Sequence, residues 1–108
     1  MAVFETSDSH LFLQVAEHSF VIVKYDTDEC GKPCMEFRPI YLELSGDPLY
    51  KNVLFLTMNA ENNPEAKKHI LNKRQPVITI YTKGRLRDSG HCSTKLGVQT
   101  MLEKLLNS

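Results

Sequence analysis

The sequence lacks several features that would indicate a function directly. It contains no tryptophan and only three cysteines, and its 13 lysines and arginines balance 13 aspartates and glutamates. Because nucleic acids and anionic membranes favour a basic surface, this balance gives no electrostatic reason to expect either partner. An odd and small number of cysteines also argues against a framework of structural disulfides.

Long apolar stretches are missing as well. No run in the sequence approaches the ~20 apolar residues that a membrane-spanning helix requires. The first residues, MAVFETSDSH, have neither the basic start nor the apolar stretch of a secretory signal. These features predict a reducing, cytoplasmic location, in which a close pair of cysteines is more often catalytic or metal-binding than structural.

What is present is the composition of an ordinary globular protein. The 108 residues are 42% apolar and 24% charged, which suits one domain, residues 1–108, with a single core. Strand and helix patterns alternate in the order βαβαβαββα, which is typical of an α/β or α+β domain. Strands are predicted at 2–5, 20–25, 52–59, 76–82 and 85–90, and helices within 6–18, 33–45, 62–71 and 93–106.

Local signals support these helices. Thr6 and Ser7 are cap candidates for the first helix, and Asn63 is the cap candidate for the third. Pro39 lies inside the second helix, where it should kink the backbone. In the first helix, apolar residues stand at helical spacing at Leu11, Phe12, Val15 and Ala16. In the last helix, the residues predicted to face inward are Leu96, Met101, Leu102, Leu105 and Leu106.

The stretch DTDECGKPCMEFRP, residues 26–39, carries the most chemistry. Its cysteines, Cys30 and Cys34, follow a strand with a buried pattern and stand at the start of a helix. Chemistry in open α/β sheets collects at such strand ends. Their C-x-x-x-C spacing is one residue longer than the C-x-x-C of redox motifs. From the residues alone, the pair can be a redox couple, half of a metal site, or part of a buried helix.

The chain resembles the thioredoxin family over nearly its whole length. FVIVKYDTDECGKPCMEFRPIYLEL is similar to the family's strand, active-site Cys-Gly-Pro-Cys and kinked helix, and FLTMNAENNPEAKKHIL is similar to its next strand and helix. RQPVITIYTKGRL is similar to the segment that carries the family's cis-proline. The resemblance implies an α/β thioredoxin fold, with a central mixed sheet of about five strands flanked by about four helices.

The resemblance also implies an activity and a set of site residues. The protein would act as an oxidoreductase on protein disulfides, as part of cell redox homeostasis, with Cys30 as the exposed nucleophile and Cys34 as the buried resolving cysteine. Pro76 would be the cis-proline, and together with Gln75 and Gly90 it would bind extended substrate segments. Electrons would come from a donor of the thioredoxin-reductase type, and no cofactor or metal is expected.

Departures from the family pattern favour an alternative function. The family's aromatic residues near the first cysteine are replaced by Asp26 and Glu29, and its buried aspartate falls at Lys24. Counting back from Pro39 makes Lys32, or a neighbour, an insertion between the cysteines. The alternative is a binding or adaptor module with the same fold, in which redox activity is weak or lost.

The charges around the cysteines act in opposite directions. A helix N-terminus and Lys32 favour a thiolate at Cys30. Asp26, Asp28 and Glu29 disfavour it, and the sequence leaves the balance open. The longer spacing is compatible with a disulfide. Positions i and i+4 of a helix have Cα atoms about 6 Å apart, within the roughly 4.4–6.8 Å that a disulfide accepts.

Lys24 has three alternative roles. A buried carboxylate can move a proton to a resolving thiol, and a lysine can do so only where burial depresses its pKa toward neutral. Lys24 could instead pair with Asp26 or another acid, or extend outward to solvent.

His91 and Cys92 follow Gly90 and lie, in this fold, beside the cysteine turn. With Cys30 and Cys34 they offer four ligands of the zinc type, but their spacing matches zinc sites poorly, and no metal site is predicted. Cys92 is expected to be an ordinary half-buried residue. The alternatives are a third redox thiol or a cross-link between two copies of the chain.

Overall fold

The centre of the computed structural model, which describes residues 2–107, is a five-stranded sheet. The strands are β1 (Phe4–Glu5), β2 (Phe20–Asp26), β3 (Leu54–Asn59), β4 (Val77–Thr82) and β5 (Arg85–His91). Their order across the sheet is β1-β3-β2-β4-β5. The β1–β3 and β2–β3 pairs are parallel, and the β2–β4 and β4–β5 pairs are antiparallel. The mixed sheet is confirmed.

Four α-helices flank this sheet, which confirms the expected fold class. They are α1 (Asp8–Glu17), α2 (Lys32–Ser45), α3 (Pro64–Ile70) and α4 (Lys95–Leu106). Side chains of α2 and α4 pack on one face of the sheet, and those of α1 and α3 pack on the other. None of the described helices is long and apolar enough to cross a lipid bilayer.

The central strand β2 fixes the position of the cysteine turn. It pairs with β3 on one side and β4 on the other, and every residue from Val21 to Asp26 is buried. Its valines, isoleucine and tyrosine suit a strand covered on both faces, and burying each such side chain contributes about 1.5–3 kcal/mol. The C-terminal end of β2 is therefore a rigid base for the residues that follow it.

The N-termini of α1 and α3 cap one another. The Asp8 carboxylate accepts hydrogen bonds from the main-chain N–H groups of Glu65 and Ala66, at 2.8 and 3.0 Å. In return, Asn63 Oδ1 accepts from the N–H of Asp8 at 3.0 Å. Asn63 and Ser7 occupy the N-cap positions as expected, but within the described chain neither side chain caps its own helix. The exchange joins two helices that are far apart in sequence.

The prediction that Leu96 faces inward was wrong, and two residues of the apolar pattern in α1 are exposed. Phe12 is 75% exposed, Leu96 is 73% exposed, and Ala16 is exposed as well. In α4 the fully buried residues include Val98, and Leu96 precedes Val98 by two positions, a rotation of about 200° around the helix. In α1 the residues that pack on the core are Leu11 and Val15, which lie one turn apart, and Phe12 lies beside them on the helix surface. The element boundaries differ from those expected by one or two residues.

Candidate active site

The two cysteines lie on a sharp change of direction between β2 and α2. A 3₁₀ turn, Asp28–Cys30, follows the strand, and the N–H of Cys30 donates to the carbonyl of Thr27 at 3.1 Å. Gly31 then adopts φ 67° and ψ −132°, a conformation that other residues rarely accept. Because α2 begins at the next residue, glycine is required for the chain to enter the helix at this point.

Cys30 and Cys34 form a disulfide bond. Their sulfur atoms are 1.96 Å apart and their Cα atoms are 5.9 Å apart. That Cα separation lies within the range that disulfides accept, so the additional residue in the motif does not prevent the bond. The expectation that this spacing is compatible with a disulfide is confirmed.

The two cysteine residues differ in exposure. Cys30 lies on the turn and is partly exposed, whereas Cys34 lies in the first turn of α2 and is only 2% exposed. The third cysteine, Cys92, is a free thiol that is 8% exposed, so it is more buried than expected. Burial raises the pKa of the Cys92 thiol.

We expect Cys30 to be alkylated first when the reduced, folded protein is treated with a limiting amount of iodoacetamide. Cys34 and Cys92 are covered, and the raised pKa of Cys92 keeps its reactive thiolate scarce until the pH is high. Mass mapping of the peptides measures the order of labelling, and the unfolded protein, in which all three thiols are accessible, is the control. Labelling of Cys34 ahead of Cys30 would contradict the expectation that Cys30 is the more accessible thiol.

A second segment, residues 74–76, lies against the cysteine turn; we call it the docking segment. The Gln75–Pro76 peptide bond is cis. Gln75 Oε1 accepts hydrogen bonds from both the main-chain N–H and the side-chain hydroxyl of Thr27, each at 2.9 Å. Pro76 is buried, and its carbonyl accepts from the N–H of Cys92 at 3.3 Å. The structure thus brings Gln75 and Pro76 together with the turn that carries Cys30.

Gly90 and His91 lie at the end of β5, beside the docking segment. Gly90 pairs with Ile78 of β4, and a Cβ atom added at Gly90 would meet no atom within 4 Å. Local packing therefore does not require glycine there. The Nδ1 atom of His91 lies 3.0 Å from the carbonyl oxygen of Arg74 and 3.1 Å from that of Pro76. The sequence pattern around His91 indicated only a candidate metal ligand, and it carried no signal for this contact or for the one from Thr27.

Lys24 and Asp26 form a buried ion pair on the face of β2 that carries Ile22. They are 4% and 7% exposed, and Lys24 Nζ lies 2.5 Å from Asp26 Oδ2. The pair faces α2, where Lys24 Nζ is 6.0 Å from the centre of the Tyr41 ring. Of the three alternatives for Lys24, the outward-pointing one is wrong, and pairing with Asp26 is what the structure shows.

A cavity of about 400 Å³ reaches this ion pair from the surface. Its lining includes Lys24, Asp26 and Tyr41 at depth, and the exposed residues Asp28 and Arg38. The Tyr41 hydroxyl lies within hydrogen-bonding distance of two strand carbonyls, which holds its ring in place. The cavity therefore gives solvent a route to the buried charges beneath α2.

The charged residues of the motif itself are on the surface. Lys32 is the first residue of α2, and its Nζ lies 3.7 Å from Glu36 Oε1, with both side chains largely exposed. Glu29 is exposed on the 3₁₀ turn beside Asp28. Lys32 therefore forms an exposed ion pair with Glu36, and exposed pairs of this kind contribute little to stability.

The structure does not gather Cys30, Cys34, His91 and Cys92 into a metal site. Cys30 and Cys34 are joined in the disulfide, and the imidazole of His91 contacts the docking segment. Within residues 2–107, no group of three or more histidine, cysteine, aspartate or glutamate side chains is arranged to hold a metal ion.

Comparison with known proteins agrees with this geometry. The family described as Thioredoxin matches residues 2–105. A human protein, thioredoxin domain-containing protein 8, is 27% identical over 81 residues, which are 75% of this chain and 61% of that protein. Thioredoxin from Ictalurus punctatus is 30% identical over 76 residues, which are 70% of each chain.

Solved structures show the same fold at low sequence identity. Thioredoxin from Malassezia sympodialis superposes with a TM-score of 0.82 at 15% identity, covering 96% of this chain and 93% of that one. Thioredoxin from Plasmodium falciparum gives a TM-score of 0.80 at 21% identity, covering 95% and 98% of the two chains.

Proposed function

The chain belongs to the thioredoxin family, and we propose that it catalyses thiol–disulfide exchange on protein disulfides through Cys30 and Cys34. The observation that carries this proposal is the disulfide itself, placed between the end of β2 and the first turn of α2. Of the two cysteines, Cys30 is partly exposed and Cys34 is buried, so Cys30 is the one that a large substrate can approach. Such an arrangement suits a nucleophile with a protected resolving thiol.

The reaction in the reducing direction has two exchange steps. The thiolate of Cys30 attacks one sulfur of the substrate disulfide, forms a mixed disulfide, and releases the other substrate sulfur as a thiolate that takes a proton. The thiolate of Cys34 then attacks Cys30, forms the Cys30–Cys34 disulfide, and releases the second substrate thiol. Two electrons pass from the protein to the substrate, and a dithiol donor of the thioredoxin-reductase type restores the reduced pair.

The docking segment is the proposed place where the substrate binds. No described residue hydrogen-bonds to the main-chain N–H or C=O of Gln75, so these groups can pair with an extended substrate strand. Pro76 is buried next to them, and Gly90 leaves open space on the neighbouring strand. Substrate binding is therefore assigned to Gln75, Pro76 and Gly90.

Lys24, Lys32 and Glu29 are proposed to modulate the exchange. Lys24 stands with Asp26 beneath α2, the helix that carries Cys34, where solvent in the cavity can exchange protons. Lys32 and Glu29 place charges of opposite sign beside Cys30, where they stabilise or destabilise its thiolate. A reducing, cytoplasmic compartment is the proposed location, because it keeps such a pair available as a reductant.

One observation favours a second candidate, an adaptor module with weak redox activity. The buried position that the family fills with an aspartate holds a lysine here, and its charge is already neutralised by Asp26. Because Lys24 and Asp26 are paired with each other, neither is available to move a proton to or from Cys34. The two candidate functions differ in one measurable property, the catalytic turnover of a disulfide substrate.

Reduction of insulin by dithiothreitol tests the proposal. The protein should accelerate the reaction at substoichiometric amounts, because each molecule cycles between the dithiol and the disulfide. The measurement is the release of insulin thiols with time, with the Cys30→Ser variant as control. A parent protein no faster than the Cys30→Ser variant would support the adaptor.

A further inference from the structure

The docking segment is held from two sides by side chains that the proposed chemistry does not use. On the side of the cysteine turn, Gln75 receives two hydrogen bonds from Thr27. On the side of β5, the His91 ring faces the carbonyl oxygens of Arg74 and Pro76. These contacts involve both neighbours of Gln75 and its own side chain, and they leave its main-chain N–H and C=O open.

The chemistry of the partners fixes the orientation of both side chains. A main-chain N–H only donates, so the atom of Gln75 that faces Thr27 must be the amide oxygen. A carbonyl oxygen only accepts, so Nδ1 of His91 must carry a proton. Nε2 of the same ring lies 3.4 Å from the Ser93 hydroxyl, which can donate to it. The contacts of Gln75 with Thr27 and of His91 with the docking segment therefore each join a hydrogen-bond donor to an acceptor.

The contacts continue to the nucleophile. Thr27 is 7% exposed, and its carbonyl accepts the N–H of Cys30 at 3.1 Å. A hydrogen-bonded path thus runs from Gln75 through Thr27 to the residue whose sulfur must meet the substrate disulfide. The distance between the docking segment and Cys30 is set by side-chain contacts as well as by the sheet.

We propose that Thr27, Gln75 and His91 are positioning residues that hold the docking segment in register with Cys30, so that a bound substrate strand presents its disulfide to that sulfur. This inference rests on the proposed function. It assigns to the three residues an effect on extended protein substrates only. A small disulfide has no strand to pair, so it does not depend on the register of the docking segment.

Kinetics with two substrates test the proposal on the full chain. Gln75→Met removes both acceptor bonds at similar volume and should raise KM for insulin about tenfold, with kcat changed by less than about twofold. The rate with cystine, a small disulfide, should stay at the parental value. Gln99→Met, a similar change at a glutamine on α4, is the matched control and should leave both rates unchanged.

Conservative variants separate positioning from general damage. Thr27→Val removes one of the two bonds and should raise KM about threefold, whereas Thr27→Ser keeps the hydroxyl and should restore it. His91→Ala should raise KM about fivefold. His91→Asn, whose amide nitrogen can take the place of Nδ1, should recover most of that loss. Thr27→Val decides the question if Gln75→Met fails to fold.

The outcomes are distinguishable. Insulin and cystine rates that fall together in the variants, or an unchanged KM for insulin, would overturn the positioning role while leaving the proposed function intact. A parent protein that reduces neither substrate would overturn the proposed function and this inference with it. A selective rise in KM for insulin, recovered by Thr27→Ser and His91→Asn, is the result that supports it.

Discussion

Cys34→Ser is expected to abolish turnover and to leave the substrate covalently attached to Cys30. Cys30 can still attack a substrate disulfide, because this residue is partly exposed and the substitution lies outside the turn that carries it. The mixed disulfide then persists, since a serine hydroxyl cannot displace a thiolate from it. The loss of catalysis should be complete within detection, because both exchange steps are needed for each cycle.

Nonreducing electrophoresis and intact mass measure the trapped species. Incubation of reduced Cys34→Ser with native insulin, whose disulfides are intact, should give an adduct that dithiothreitol removes. Cys30→Ser should give no adduct, because Cys34 is 2% exposed and cannot reach a large substrate. Cys92→Ser controls for the third thiol and should behave as the parent. An adduct that forms with Cys30→Ser and not with Cys34→Ser would reverse the assigned roles.

The position of the turn that carries the two cysteines could be predicted from sequence because its determinants are local. The apolar run of β2, the glycine at position 31 and the start of α2 are consecutive, so a short window contains the whole turn. The same window shows that a disulfide is compatible with the spacing, although Cys30 precedes α2 and the Cα separation of 5.9 Å is set by the turn at Gly31 as well as by the helix. Elements of this kind were expected to within one or two residues.

The contacts of the docking segment could not be predicted in the same way. Tyr25 pairs with Val77 across an antiparallel ladder, so Thr27 and Gln75, each two residues further along, meet only in that register. His91 lies opposite Val77 on the next ladder, which contains an irregularity between Ile80 and Tyr81. A shift of one residue would turn every side chain to the other face. Sequence patterns define faces, but they do not define register across strands.

The exposed side chains of Phe12 and Leu96 illustrate a different limit. Phe12 lies next to the stripe of Leu11 and Val15 through which α1 packs on the core. Leu96 lies about 200° around α4 from the buried Val98, so the helix period already places it off the packed face. The width of a buried stripe depends on how closely the neighbouring elements approach, and the sequence of the helix alone does not contain that distance. Wrong assignments of single buried residues do not change the predicted fold class, but they do change which side chains are predicted to lie on the surface.

Lys24→Met is expected to lower the free energy of unfolding by about 3–5 kcal/mol, because it leaves the buried charge of Asp26 without its partner. Asp26 is 7% exposed, and Lys24 Nζ is the hydrogen-bond donor that the structure gives its carboxylate. A loss of this size is a large fraction of the roughly 5–15 kcal/mol that stabilises a typical domain. Chemical denaturation of the oxidised protein, followed by circular dichroism, measures it.

The double variant Lys24→Met/Asp26→Leu separates the ion pair from its two charges. With both charges removed, the apolar side chains can pack against Tyr41, and the stability should return to near the parental value or exceed it. Lys32→Met, which breaks an exposed pair on the same side of the molecule, is the matched control and should change little. Single and double variants of equal stability would mean that solvent in the cavity already compensates Asp26. If the double variant is stable and reduces insulin at the parental rate, the ion pair contributes only to stability. If the double variant is stable but reduces insulin slowly, the charges beneath α2 contribute to the exchange at Cys34.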